Sequence, residues 1–254
     1  MVESRTHQAE AVRSSSTPRP PSTRGPPSGP ERFPIVGIGA AAGGADACRM
    51  LVDALPAGAG MAFIVIQHLD TRGDRLLPAL TSAPSLALCD AADGMVVKRE
   101  HIYVVPIGTY VTLVNGILRL SGIPAGRGSD LPFDLFLNSL ALDCGNRAAC
   151  VVLSGDGVDG SLGLKEVSQG GGLVIAQDPS QSAYARMPNS AVLTGAVDLV
   201  LPVAEIPDAL VDFGRRFARA SNRPASMRAQ SSGRNRSARP GSQPRTKRDR
   251  PRRS

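Results

Sequence analysis

The fold turns on residues 34–55, PIVGIGAAAGG followed at once by ADACRMLVDAL. Pro34–Gly39 is a short apolar run ending in glycines, and Ala45–Leu55 places apolar side chains at helical spacing. Strand, glycine turn and helix in that order form the first half of a βαβ unit. The glycines permit a tight turn and a close backbone approach. As a dinucleotide fingerprint they are a poor match. The spacing is imperfect, and the next strand, Met61–Gln67 (MAFIVIQ), runs into His68 rather than into a ribose-binding acid.

Outward from this unit the alternation continues. Short strands are expected at Leu86–Leu88, His101–Val105, Ala149–Ser154, Gly172–Ala176 and Leu199–Leu201. Helices are expected at Arg75–Thr81, Phe133–Leu142, Ser161–Val167 and Ala204–Phe217. Tyr110–Leu113 and Ile117–Leu120 flank Val114-Asn115-Gly116, an Asn-Gly hairpin signal. The expected architecture is α/β: a doubly wound, mainly parallel sheet with helices on both faces and a small β-hairpin.

The 254 residues carry a net charge of +7, unevenly spread. Residues 1–32 are Pro/Ser-rich with a net charge of +2, and 219–254 are Arg-rich with +11. Both are expected to be disordered tails around one domain at 33–218, whose own net charge is −6. The 219–254 tail has no aromatic residue for base stacking, so its expected partner is at most a weak polyanion contact. No apolar run approaches the ~18–20 residues of a membrane helix, and no secretory signal opens the chain. The four cysteines form no CxxC pair and only three His accompany them, so no metal or cofactor is expected. They read as reduced thiols of a cytoplasmic protein.

In such sheets the chemistry gathers at the carboxyl ends of the strands. His68, in Gln67-His68-Leu69-Asp70, is either a general base or a hydrogen-bonded loop His. The loop Ser154-Gly155-Asp156-Gly157-Val158-Asp159-Gly160 offers two carboxylates. They suit a Mg²⁺ ion, the acid of a triad, or a helix N-cap.

The ordered set GIGAAAGG, IVIQHLD, IYVVPIG, VVLSGDGVDGSLGLKEV, QDPSQSAYARMPNSAV and TGAVDLVLP resembles the catalytic domain of chemotaxis protein-glutamate methylesterases of the CheB type, from about Phe33 to Phe217. The resemblance implies hydrolysis of glutamyl methyl esters on the cytoplasmic helices of methylated chemoreceptors, with glutamine deamidation in some members. A Ser–His–Asp triad does the work. The family's His matches His68, its Asp matches Asp159, and its backbone oxyanion donor matches the amide of Asp156. Gly43, Gly44, Met187 and Pro188 fall at substrate-side positions. The family's nucleophilic Ser falls at Ala41, and neither Ala40 nor Ala42 supplies a hydroxyl. Covalent acyl transfer by the family route is therefore closed. Ser154 lies on the Asp loop, where the resemblance makes it structural. Tyr110 stands where many relatives have His. Residues 1–32 are too short for a receiver domain ahead of the catalytic segment, so phosphorylation control in cis is not expected. The reading is a member of this family with weak or no esterase activity. The alternatives are a non-catalytic receptor-binding module and a polyanion-binding protein acting through its basic tail.

Overall fold

The computed structural model of the protein describes residues 32–41, 43–67, 85–122 and 131–221. Seven strands form one parallel sheet: β1 (Ile35–Ala40), β2 (Ala62–Gln67), β3 (Ala87–Asp90), β4 (His101–Val104), β7 (Ala148–Val152), β8 (Leu173–Gln177) and β9 (Leu199–Leu201), in the order β3-β4-β2-β1-β7-β8-β9. The chain builds outward from β1 in one direction through β2, and in the other through β7, as a doubly wound sheet does. β5 (Thr109–Val114) and β6 (Ile117–Gly122) form the separate antiparallel hairpin. Its turn residues Asn115 and Gly116 both have positive φ, 52° and 73°, which is the reason for the Asn-Gly pair.

Among the described residues the α-helices are α1 (Gly44–Asp53), α2 (Pro132–Cys144), α3 (Gly163–Gln169), α4 (Arg186–Leu193) and α5 (Ile206–Ser221). Both faces of the sheet are covered. On one, Val36, Ile38 and Val151 pack with Cys48 and Leu51 of α1 and with Ile206 and Leu210 of α5. On the other, Ile64, Cys150 and Val152 pack with Phe133, Phe136 and Leu137 of α2 and with Leu164 of α3. The central strands are buried along their whole length, which is why they read as continuous apolar runs rather than alternating ones.

The glycines of β1 have a packing reason. A Cβ on Gly37 would lie 2.8 Å from the Phe136 ring, and one on Gly39 would collide with the ring of Phe133. β1 therefore gives α2 a side-chain-free groove. α4, which contains Pro188, was not among the expected helices. Pro188 sits in the first turn, where no intrahelical N–H bond is lost. The hairpin docks on α2 through the Leu113 amide on Ser139 Oγ (3.0 Å) and the Gly116 amide on Asp143 Oδ2 (2.7 Å). The helix expected at Arg75–Thr81 lies outside the described residues, as do residues 1–31 and 222–254 of the expected tails; residues 219–221, expected to open the disordered tail, instead continue the last helix, which runs to Ser221. Among the described residues no helix is long and apolar enough to cross a membrane.

Candidate active site

The sheet reverses its winding between β1 and β7, so the crevice at their carboxyl ends is the natural place for a site. Ala41 follows β1 directly, and the loop Leu153–Gly160 follows β7. The two are tied together: the Leu153 amide donates to Gly39 O (2.9 Å) and the Ala41 amide to Ser154 O (3.1 Å). A Cβ on Gly155 would lie 2.8 Å from the Ala41 methyl and 2.7 Å from Met187 Sδ. Ala41, Gly155 and Met187 thus meet at one point, with Ala41 only 7% exposed. Gly43 caps α1 with a left-handed backbone, φ 68°, beneath the Tyr184 ring. Gly44 has no room for a side chain, because its Cβ would lie 2.6 Å from Ser154 O. The turn Ala41–Gly44 brings the N-terminus of α1 beside the Ser154 loop, a favourable place for developing negative charge.

Ser154 is the nearest hydroxyl on that loop, and its bonds occupy it. Its Oγ accepts the Tyr184 amide (2.9 Å) and donates to Tyr184 O (3.4 Å). Its amide donates to Gln177 Oε1 (2.8 Å) at the end of β8. The Gly155 amide donates to Tyr184 O (3.0 Å), and the Met187 amide to Gly155 O (2.9 Å). Ser154 is the rivet that holds the Asp loop to the segment leading into α4. It has the residue type of a nucleophile and the bonding of a structural residue.

Asp156 and Asp159 behave in opposite ways. The Asp156 side chain is exposed and pairs with Arg186 Nη1 at 3.4 Å, while its amide meets no acceptor among the described residues. A backbone donor does not depend on its own side chain, so the Asp156–Arg186 pair leaves the chemistry of that N–H unchanged. Asp159 is 5% exposed, and its carboxylate accepts the amides of Phe133 (Oδ2, 3.0 Å) and Asp134 (Oδ1, 3.0 Å). The N-cap expected of this loop exists, but it caps α2, which precedes it in sequence, rather than the helix that follows. α2 needs it: its own N-cap is Leu131, which has no side-chain acceptor.

Of the residues singled out from the sequence, Ala41, Gly43, Gly44, Asp156 and Met187 come together around the β1–β7 crevice. Pro188 is buried in the first turn of α4 beside them. Tyr110 lies on β5 of the hairpin, half-buried. His68 follows β2 and lies outside the described residues. Among the described residues no group of His, Cys, Asp or Glu is placed to hold a metal ion. Four site neighbours went unmarked in the sequence: Asp134, Gln177, Tyr184 and Arg186. Each acts through a contact of long sequence separation, and a Leu at the N-cap of α2 was the one local hint that a cap must arrive from elsewhere.

Known proteins share this fold. A crystal structure of the CheB methylesterase catalytic domain of Thermotoga maritima superposes with a TM-score of 0.65 at 29% identity, covering 72% of this chain and 99% of that one. Protein-glutamate methylesterase FrzG of Myxococcus xanthus is 33% identical over 208 residues, which are 81% of this chain and 62% of the relative. Protein-glutamate methylesterase/protein-glutamine glutaminase 2 of Anaeromyxobacter dehalogenans is 34% identical over 192 residues, 72% of this chain and 54% of the relative. The chain thus spans less than two thirds of the length of either relative. The CheB methylesterase family model matches residues 36–210, and with the sheet order and the β1–β7 crevice this makes the chain a member of the CheB methylesterase family.

Proposed function

We propose that this protein engages methylated chemoreceptor helices in the β1–β7 crevice and hydrolyses their glutamyl methyl esters slowly or not at all. The observation that carries the reading is Ala41: it stands at the carboxyl end of the central strand, in contact with the loop of Asp156 and Asp159, and ends in a methyl group. The family route needs a hydroxyl there to attack the ester carbon, expel methanol and form an acyl-enzyme. What remains is a set of accessory groups: the Asp156 amide for the oxyanion, His68 as base and Asp159 as its orienting acid. In serine hydrolases such remnants retain roughly 10³–10⁴ over the uncatalysed reaction, while the missing Ser costs on the order of 10⁶ in kcat. In the residual path His68 takes a proton from a water that attacks the ester carbon, the carbonyl oxygen resting on the Asp156 amide; the bond to the methoxy oxygen then breaks, and methanol leaves with that proton, the glutamate carboxylate remaining.

Methanol release from a methylated receptor cytoplasmic fragment tests this, with the parent protein beside Ala41→Ser. The Ser variant should be faster by about 10³ or more. A folded Ala41→Ser protein that stays inert would show that the remaining groups are not arranged for catalysis. A parent protein that turns over at a rate comparable with its Ser variant, and loses that rate in His68→Ala, would replace weak activity with an efficient water route.

A further inference from the structure

Two helices at the site begin with a leucine where a capping residue belongs. Leu131 precedes α2 and Leu162 precedes α3, and neither side chain accepts a hydrogen bond. Each helix takes its cap from the other's approach. Asp159, in the loop ahead of α3, accepts the Phe133 and Asp134 amides of α2, both at 3.0 Å. Asp134, in the first turn of α2, accepts the Leu162 and Gly163 amides of α3 on Oδ1, at 2.9 and 2.6 Å. The Asp159–Gly163 turn is thereby clamped at both ends to a single turn of α2. Its two glycines allow the fit: a Cβ on Gly160 would lie 2.6 Å from the Phe133 ring, and one on Gly163 would lie 2.6 Å from Leu137 Cβ.

We infer that Asp134 is a positioning residue for Asp159: its backbone amide and its carboxylate together set the direction in which the Asp159 carboxylate points. The inference rests on the reading of Asp159 as the acid that orients His68. Two observations separate this role from ordinary capping. Asp134 touches Asp159 directly, amide to carboxylate, so the cap and the orienting acid share one hydrogen-bond chain. Asp134 Oδ2 is buried with no hydrogen-bond partner among the described residues, and Oδ1 makes both bonds to α3. A neutral side chain of the same shape supplies that oxygen equally well. The two amides do not exhaust the acceptor capacity of the Asp159 carboxylate. A side chain held by two fixed amides meets an imidazole without paying again for orientation.

The test follows the NMR titration of the His68 ring in the full chain, assigned with His68→Gln, together with turnover in the Ala41→Ser background. Asp159→Asn should lower the His68 titration midpoint. Asp134→Ala should lower it in the same direction, and Asp134→Asn should leave it where the parent has it. In the Ala41→Ser background, Asp134→Ala should reduce kcat by about 10²-fold with KM changed by no more than about threefold, and Asp134→Asn should restore kcat. Asp134→Ser, whose hydroxyl is one bond too short to stand in the position of Oδ1, serves where Asp134→Ala does not fold, with the same expected direction. If Asp159→Asn moves His68 and folded Asp134→Ala and Asp134→Ser do not, the positioning role is refuted while the His68–Asp159 pairing stands. If Asp159→Asn leaves His68 unmoved, the pairing itself is refuted, and the role of Asp134 falls with it.

Discussion

Asp159→Ala should be among the most damaging single changes in this domain, through stability rather than chemistry. Asp159 is 5% exposed, and its carboxylate accepts two buried main-chain amides at 3.0 Å each. Those amides belong to the first turn of α2, and Leu131 offers them nothing else. Hydrogen bonds to a charged group contribute about 1.5–3 kcal/mol each, and capping substitutions at the surface cost about 0.5–2 kcal/mol. Burying the charge offsets part of the gain, so the net loss should be about 3 kcal/mol, or roughly 150-fold in the folding constant. With a slope near 2 kcal/mol per molar, the urea midpoint should fall by about 1.5 M. Urea unfolding followed by far-UV circular dichroism measures it. Asp159→Asn keeps one acceptor and should lose about half as much. Asp156→Ala, three positions away, should change stability by less than about 0.5 kcal/mol, because its partner Arg186 is equally exposed. An Asp159→Ala midpoint within about 0.3 M of the parent would refute the capping account, since the extrapolated energies would then be indistinguishable.

Asp134 supplies a pH test. Burial pushes its carboxyl above the ordinary value of 3.8, against the opposing pull of the Gly163 and Leu162 amides. The folded state therefore holds this proton more tightly than the unfolded chain. The contribution is fully present below pH 3.8 and is lost as pH rises through the higher folded value. The stability of the parent relative to Asp134→Asn should accordingly decline across that window and level off above it; a parallel pair of curves would contradict this. Gly39→Ala places a methyl in the Phe133 ring and should cost at least the ~1–3 kcal/mol of core overpacking, read from thermal unfolding. Among the cysteines, Cys48 and Cys144 are buried thiols pushed up to about 12, and Cys150 is raised further in the same direction. In the native state Cys89, partly exposed on edge strand β3, should be the first to react with iodoacetamide, and modification of the other three should track unfolding. Equal labelling of all four in folded protein would contradict the burial.

The α/β architecture was legible because buried parallel strands and amphipathic helices write themselves locally. PIVGIG, MAFIVI and AACVV are apolar throughout, as strands covered on both faces must be. The Asn115-Gly116 turn was equally plain, since few other residues accept two consecutive positive φ angles. α4 was hidden because its Pro188 reads as a helix breaker, and its place in the first turn is visible only once the helix start is known. The glycines of β1 were legible as close-approach residues, but what approaches is helix α2, which arrives from almost a hundred residues away.

The sequence by itself pointed to the family, set the order of the site segments and placed an Ala at position 41, because each is a matter of which residue stands at a given place in a local motif. The tertiary structure decided what the polar residues do. Ser154 became a rivet through Tyr184 and Gln177, Asp159 a cap for a helix that precedes it, and Asp134 its counterpart. The physical reason is that a hydrogen bond is short and directional, so its partner depends on which distant amide the packing of α2 against Gly37 and Gly39 brings within about 3 Å. No period or composition in the chain encodes that distance.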